Sequence, residues 1–290
     1  MPARWTHARR LALALSATAA AGCGDAGLTT PGVANELTGD VGITIRDEVE
    51  AAVNGLTLST SVTPIGTSVA APATAPCVVS STPTDSDGDG VPDDATYVMT
   101  APPCRFDGWR DGTLELVGQL RIQDPAPASA GFGYDETISN LRARYTNAEK
   151  DVIYDVTRNG GRTLSGSTTG LLLTSDIQLR RIFVGKSDAV IGQQWTMSYT
   201  PSVPLQINGP VNSGTLDISG TMTWQRANED LELIVTTAVP LEYDATCTDT
   251  VQRIRNGEIR AAGTFGDMDG FVRIRWFECG KDPSYVFDTN

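Results

Sequence analysis

The chain has 290 residues, of which 40% are hydrophobic, 20% charged and 7% aromatic, a composition that excludes collagen, coiled coils and wholesale disorder. Residues 1–22 contain three arginines and no acid, so the chain from Cys23 onward has 19 basic against 35 acidic residues, which argues against nucleic acid as a partner. The single histidine, His7, also lies in these first residues, so the rest of the chain cannot form a Ser-His-Asp triad or a Cys-His pair.

The first 22 residues have the organisation of a secretory signal. Arg9 and Arg10 precede an apolar stretch, residues 11–21, that is too short to cross a bilayer. The stretch ends in AAGC at positions 20–23, which resembles the lipobox of bacterial lipoproteins. The resemblance implies that residues 1–22 are removed as a lipoprotein signal peptide and that Cys23 becomes a diacylated N-terminus. The alternative is an ordinary cleaved signal with a chance cysteine.

The same resemblance predicts where the protein is located. Stable anchoring of a protein by acyl chains requires at least two of them, each contributing about 0.8 kcal/mol per buried CH₂. Gly24 follows the cysteine, whereas the familiar inner-membrane retention signal has Asp at that position. We therefore expect a lipid anchor in a bacterial cell envelope, at the outer membrane or cell surface rather than the inner membrane. Residues 23–35 would form a tether, and residues 36–290 a single β-rich domain.

Four cysteines remain after Cys23, and an even number in an exported chain indicates disulfides. They are Cys77, Cys104, Cys247 and Cys279. Separations of 27 and 32 residues within the near pairs favour Cys77–Cys104 and Cys247–Cys279 over the two other pairings. A catalytic thiol or a zinc site is disfavoured, since the chain after residue 22 has no histidine and no CxxC motif.

A short helix is predicted over residues 40–54, near the start of the domain. Asp40 can cap its first turn, and Asn54-Gly55 can end it. Apolar residues recur at helical spacing on one face: Val41, Ile45, Val49, Ala52 and Val53. We expect this face to pack against a sheet.

From Thr113 onward, apolar and polar residues alternate between breaks of Gly, Asn, Asp and Pro. Period 2 with one polar face predicts an antiparallel sheet, and a parallel α/β sheet would need amphipathic helices that are absent from the pattern. The predicted fold class is therefore mainly β, an antiparallel meander forming a curved sheet or open barrel, with one short N-terminal helix after the signal. Asn159-Gly160 and Asn256-Gly257 are predicted hairpin turns.

Two segments repeat one pattern, GTLELVG at 112–118 and GTLDISG at 214–220. They could mark a duplicated half of the protein. They could also be two strands that each enter after a glycine turn and cross a bend in a curved sheet, and we favour this second interpretation.

The most specific motif is the acidic run DSDGDGVPDD at 85–94. Ca²⁺ takes six to eight oxygen ligands, and one loop can supply them from its positions 1, 3, 5, 7 and 9. These positions are Asp85, Asp87, Asp89, the Val91 carbonyl and Asp93.

The run resembles the calcium loops of thrombospondin type 3 repeats and of dockerin or EF-hand families, which implies a structural Ca²⁺ in the loop 85–96. Thr96 replaces the Glu of an EF-hand at position 12 and no flanking helices are predicted, so a switching role is not expected. The alternative is a solvated acidic loop without an ion.

Three functional hypotheses follow. The first is a membrane-anchored exported lipoprotein, not an enzyme, whose calcium- and disulfide-braced β domain has a binding or structural role with an unknown partner. The second is a lipid or apolar-ligand carrier of half-barrel type, with an open apolar concavity and Trp195, Trp224 or Trp276 at its mouth.

The third is a carboxylate-dependent hydrolase. Its candidate acids are Asp135, Glu136, Asp155 and Glu232, although no spacing singles out a pair. The chain as a whole resembles the uncharacterised β-rich lipoproteins of bacterial envelopes in leader, acidic loop and composition. This resemblance implies no particular activity.

Overall fold

The computed structural model describes residues 31–56, 78–79, 84–99, 104–109, 112–247 and 253–289. The predicted signal peptide, the lipidation site Cys23 and the predicted disulfide partner Cys77 lie outside these residues. The described part contains one helix, α1 (Pro31–Gly55), and thirteen strands. The strands are β1 (Val78–Val79), β2 (Asp94–Val98), β3 (Cys104–Trp109), β4 (Gly112–Gln123), β5 (Tyr134–Thr146), β6 (Val152–Ser167), β7 (Gly170–Arg181), β8 (Ala189–Pro201), β9 (Gly214–Arg226), β10 (Glu229–Tyr243), β11 (Ile254–Phe265), β12 (Met268–Trp276) and β13 (Ser284–Thr289).

All of these strands belong to one antiparallel sheet. From β4 to β13 each strand pairs with the next one in sequence. β2 and β3 share one edge of β4, where β2 pairs with residues 119–123 and β3 with residues 112–116. β1 extends the sheet beyond β2, and among the described strands β1 and β13 do not pair. The predicted antiparallel meander is confirmed, and the sheet is open.

The sheet curls around α1. Arg46 and Asp47 are adjacent in the helix, yet Arg46 bonds Asp282 just before β13 at 2.6 Å and Asp47 bonds Arg181 at the end of β7 at 2.6 Å. In a flat sheet β7 and β13 would lie about 29 Å apart, six strand spacings of about 4.8 Å. Because neighbouring residues of one helix reach both strands, the sheet must wrap around the helix.

Burial holds α1 in place. Leu37, Val41, Ile45 and Val49 are at most 1% exposed and belong to the core that lines the concave face of the sheet. The helix contains interior glycines and many β-branched residues, which are weak helix formers, so its stability comes from packing. Within the described ranges, no helix combines the length and apolarity needed to span a membrane.

The helix starts earlier than predicted. It begins at Pro31, a residue well suited to a first helical turn, and ends at Gly55 as expected, so the last five residues of the predicted tether are helical. The prediction that Asp40 caps the helix was wrong. Asp40 lies inside α1, and its carboxylate accepts hydrogen bonds from Arg226 at 2.5 Å and Lys186 at 2.7 Å. Both partners are distant in sequence, so local pattern could not reveal them.

The two predicted Asn-Gly turns were also wrong. Asn159-Gly160 lies inside β6 and Asn256-Gly257 inside β11. Gly160 has φ +131° and Gly257 φ +128°. A Cβ on Gly160 would lie 2.2 Å from the backbone oxygen of Asp176 in the adjacent strand. Glycine is therefore required here by close strand contact at a bend, rather than by chain reversal.

The two GTL segments occupy equivalent places in the sheet. Each opens a strand, β4 or β9, and its leucine pairs with the tyrosine of a Tyr-Thr sequence in the adjacent strand. In both segments, a Cβ on the second glycine would collide with the backbone of that adjacent strand. This local equivalence supports the interpretation as strands that cross a bend.

A cluster of buried charges joins α1 to the sheet, and we call it the helix–arginine cluster. Its arginines, each at most 7% exposed, point inward from β6, β7 and β9 to acids of the helix. The members are Arg158, Arg162, Arg181 and Arg226 of the sheet and Asp40, Asp47 and Glu48 of the helix.

Glu48 and Arg158 form the most deeply buried pair of this cluster. Their side chains are 2% and 0% exposed. Nη2 of Arg158 donates to Oε1 of Glu48 at 2.5 Å and to the hydroxyl of Tyr154 at 2.6 Å. Burial alone would lower the pKa of Arg158, but Glu48 and Tyr154 together outweigh burial and raise that pKa. Around Asp47, burial raises the pKa, and the two arginines bonded to it outweigh burial and hold the pKa below its usual value.

Candidate metal centre

The acidic loop precedes β2 and is fastened at both ends. The amide of Asp93 donates to the carbonyl of Thr84 at 2.7 Å, which closes the loop on itself. The amide of Asp124, just after β4, donates to the carbonyl of Pro92 at 3.1 Å. The loop is therefore tied to the end of the sheet by backbone hydrogen bonds.

Three of the predicted ligands converge. Asp85, Asp87 and Asp89 each offer one carboxylate oxygen, and these oxygens all lie within 4.8 Å of one another. The loop achieves this by turning through Gly88 and Gly90, which have φ of +77° and +91°, a region that glycine enters readily. The distances suit a hard cation, whose ligands lie about 2.3–2.6 Å from it.

Backbone amides orient these carboxylates. Asp85 accepts hydrogen bonds from the amides of Gly88 at 2.8 Å and Gly90 at 2.9 Å, and Asp89 accepts one from Val91 at 2.8 Å. The second oxygen of Asp89 accepts from the amide of Gly131 at 3.0 Å, which links the loop to the segment before β5. Each bonded oxygen keeps a second lone pair that could face a cation.

The structure places Asp93 apart from this group. Its carboxylate accepts two hydrogen bonds from Ser86, from the amide at 2.9 Å and from the hydroxyl at 2.6 Å. These bonds lower the pKa of Asp93. Val91 is 4% exposed and packs in the core, so this residue joins the loop to the hydrophobic interior.

A fourth carboxylate, which sequence reasoning missed, lies beside the loop. Asp124 is 8% exposed, and its Oδ1 accepts from the amide of Ala126 at 2.8 Å. Its Oδ2 is inaccessible and has no hydrogen-bond partner, and the same is true of Oδ2 of Asp87. Loss of hydration and the charges of Asp89, Asp124 and Asp85 together raise the pKa of Asp87.

A cleft lined by both polar and apolar groups opens next to the loop. Its empty volume is about 450 Å³ including the open mouth. Asp89 and Val91 form one wall, and the end of α1 contributes Leu56. Leu205 and Asn208, from the segment between β8 and β9, also line it, and Asn208 lies beside Gly90 of the loop. The conformation of the acidic loop therefore shapes this end of the domain.

One predicted disulfide is confirmed. Cys247 and Cys279 are bonded, with Cα atoms 6.1 Å apart, and join the segments that follow β10 and β12. Cys104, the first residue of β3, is also disulfide-bonded, but its predicted partner Cys77 lies outside the described residues.

The candidate acids of the hydrolase hypothesis are spread over different environments. Glu232 is exposed and Asp135 partly exposed, whereas Asp155 is 4% exposed and paired with an arginine of β5 at 2.5 Å. Glu136 faces inward, 4.0 Å from Arg162. Burial raises the pKa of Glu136 to about 7, although the nearby arginines oppose the shift. The cleft beside the acidic loop has none of these acids in its lining.

The concave face of the sheet is covered by α1. The three tryptophans that the carrier hypothesis places at an open mouth are 4%, 0% and 1% exposed: Trp195, Trp224 and Trp276. A ligand would have to displace buried side chains to reach these tryptophans.

Comparison with known proteins gives no relative. No family model, no curated protein and no solved structure matches the chain. A functional proposal for this protein therefore depends on the fold and on the geometry of the acidic loop.

Proposed function

We propose that the protein is a lipid-anchored exported protein of a bacterial envelope whose β domain has a structural or binding role and is braced by Ca²⁺ and disulfides. The anchor is the diacylated Cys23, at the outer membrane or cell surface. The role is not catalytic. The acidic loop holds Ca²⁺ permanently, and the ion fixes the end of the sheet where α1 terminates.

The observation that carries the calcium proposal is the convergence of Asp85, Asp87 and Asp89. Three carboxylates within 4.8 Å of one another repel each other, and a divalent cation among them removes that repulsion. The donor set contains only oxygens, which matches Ca²⁺ rather than a metal that prefers sulfur or imidazole ligands.

The acidic loop has no regular secondary structure, and three backbone hydrogen bonds tie it to itself and to Asp124 after β4. A bound ion adds a further link at this end of the domain. Ca²⁺ sites of extracellular modules bind with dissociation constants of about 10⁻⁴–10⁻³ M. That range is sufficient for a permanent brace in a compartment where calcium is plentiful.

Thermal unfolding of the purified protein in EGTA and in 10 mM Ca²⁺ tests the brace. With the dissociation constants above, binding adds about 1–3 kcal/mol to the free energy of unfolding, which raises Tm by about 3–10 °C in a domain of this size. Limited proteolysis should show a matching Ca²⁺-dependent protection of residues 84–99. Equal Tm values and equal cleavage in the two buffers would contradict the proposal.

The anchor is tested separately in the native cell. Intact mass of the protein should show that residues 1–22 are absent and that Cys23 carries acyl chains. The variant Cys23→Ala should leave the membrane fraction. A membrane-bound variant, or a wild-type mass that still includes residues 1–22, would contradict the anchor without bearing on the calcium brace.

A further inference from the structure

We propose that Asp124 is the fourth carboxylate of the calcium site and that the ion joins the acidic loop to the turn after β4. This inference rests on the proposed calcium brace. It adds a residue that lies 35 positions beyond Asp89, the last motif aspartate in the cluster. Asp93 is turned toward Ser86 instead.

Two carboxylates at the loop have a buried oxygen that lacks a hydrogen-bond partner. Asp87 and Asp124 each have an inaccessible Oδ2 that accepts no hydrogen bond. A buried carboxylate oxygen without a partner costs several kcal/mol, so native structures rarely leave one. The described surroundings contain two such oxygens on neighbouring carboxylates, and both require a positively charged or hydrogen-donating species.

Asp124 lies directly against the acidic loop. Its backbone amide is held by the loop carbonyls of Pro92 at 3.1 Å and Asp93 at 3.3 Å. Its Oδ1 is held by the amide of Ala126. These three bonds hold Asp124 against the end of the acidic loop, and its Oδ2 is buried there without a hydrogen-bond partner.

A divalent cation fits between these oxygens better than a shared proton does. A proton shared by Asp87 and Asp124 would satisfy that pair, but it would leave the convergent charges of Asp85 and Asp89 uncompensated. A divalent cation satisfies all four carboxylates. Asp124 is outside the group of three oxygens within 4.8 Å, so it reaches the ion through a bridging water, as the ninth position of an EF-hand loop often does.

The consequence is a change in what the ion connects. With ligands from the loop alone, Ca²⁺ would order only residues 85–91. With Asp124, it ties the loop to the turn between β4 and β5, where Gly131 already donates its amide to Asp89. The ion then braces the sheet as well as the loop.

Calorimetric titration of Ca²⁺ into the purified protein tests the inference with the variant Asp124→Asn. The amide keeps an oxygen for the hydrogen bond from Ala126 but loses the charge. We expect Ca²⁺ affinity to fall at least tenfold, as for other residues that support metal ligands. The matched control is Asp135→Asn, since Asp135 is partly exposed and pairs across the strands with Gln123, the residue before Asp124.

Thermal unfolding in EGTA separates a ligand from a structural role. If Asp124 is a ligand, Asp124→Asn should unfold at the wild-type Tm or higher without Ca²⁺, because repulsion between carboxylates is relieved, and its Tm should rise less when Ca²⁺ is added. If Asp124 has only a structural role, the Tm of the variant should be lower in EGTA, and its rise with Ca²⁺ should equal that of the wild-type protein. That result, or a wild-type affinity in Asp124→Asn, would overturn the inference and leave the brace standing. Absence of Ca²⁺ binding in the wild-type protein would overturn both.

Discussion

Neutralising Glu48 should destabilise the protein far more than neutralising an exposed acid. In Glu48→Gln the buried guanidinium of Arg158 loses the carboxylate to which it donates from both Nε and Nη2. Breaking a buried pair by removing one partner costs about 3–5 kcal/mol, because the other charge stays buried and unpaired. The glutamine oxygen can still accept one bond, so we expect about 3 kcal/mol, the lower end of that range.

The assay is equilibrium urea unfolding followed by tryptophan fluorescence, in parallel with thermal unfolding. A loss of about 3 kcal/mol corresponds to a Tm lower by about 6–12 °C in a domain of this size. The control is Asp94→Asn, which neutralises an ion pair with Arg121 whose side chains are 48% and 46% exposed. An exposed pair of this kind contributes about 0–1 kcal/mol.

A loss below about 1 kcal/mol in Glu48→Gln, equal to the control, would refute the reasoning, since it would mean that water reaches Arg158. A double-mutant cycle with Arg158→Met makes the test sharper. Glu48→Gln should lower the free energy of unfolding much less in the Arg158→Met background than in the wild-type protein, because the guanidinium that would be left unpaired is no longer present.

Three further predictions concern a titrating acid, two helix glycines and the disulfide. In the folded protein the pKa of Glu136 is about 7, against 4.5 for an ordinary glutamate, so the folded state binds this proton more tightly. As pH rises from 4.5 to 7, the free energy of unfolding should fall by about 3 kcal/mol more in the wild-type protein than in Glu136→Gln. Equal changes in the two proteins, measured by urea unfolding, would contradict this. In α1, Gly42→Ala should destabilise by about 1–3 kcal/mol, since its Cβ would lie 2.4 Å from a tyrosine ring of β13. Gly39→Ala, with open space at its Cβ, should instead stabilise by about 0.5–1 kcal/mol, and equal Tm shifts for the two variants would show that the helix is not packed as described. Replacing Cys247 and Cys279 by serine should cost about 3–4 kcal/mol on the chain-entropy model, measured by urea unfolding, and no loss would mean that the bond does not constrain the unfolded chain.

The meander could be predicted from the sequence because its signal is local. Alternation of period 2 appears in each strand separately, and the absence of intervening helices excludes a parallel sheet. The Cys247–Cys279 pairing followed from short separation along the chain. The turn of the acidic loop could also be predicted, because it is formed by residues close in sequence: carboxylates at alternating positions and the two glycines Gly88 and Gly90.

What could not be predicted depends on partners that are distant in sequence. From the sequence, Asp40 is a plausible helix cap, and its bond to Arg226 of β9 is seen only in the folded protein. Asp124 belongs to no motif, because the acidic loop that it contacts is a separate segment of the chain. Inward arginines such as Arg158 occupy positions where alternation predicts apolar residues, and helix acids make them tolerable. Asn-Gly pairs indicate turns in short hairpins, but in this sheet Gly160 serves the close contact of long, bent strands.

The most direct test of the central claim is amide hydrogen exchange at Gly88, Gly90 and Val91, with and without 10 mM Ca²⁺. These amides donate to the carboxylates of Asp85 and Asp89, so an ion that locks those side chains must also slow the opening of the three hydrogen bonds. At the expected affinity their exchange should slow by about tenfold to a hundredfold. Unchanged exchange at all three amides in millimolar Ca²⁺ would contradict the calcium brace.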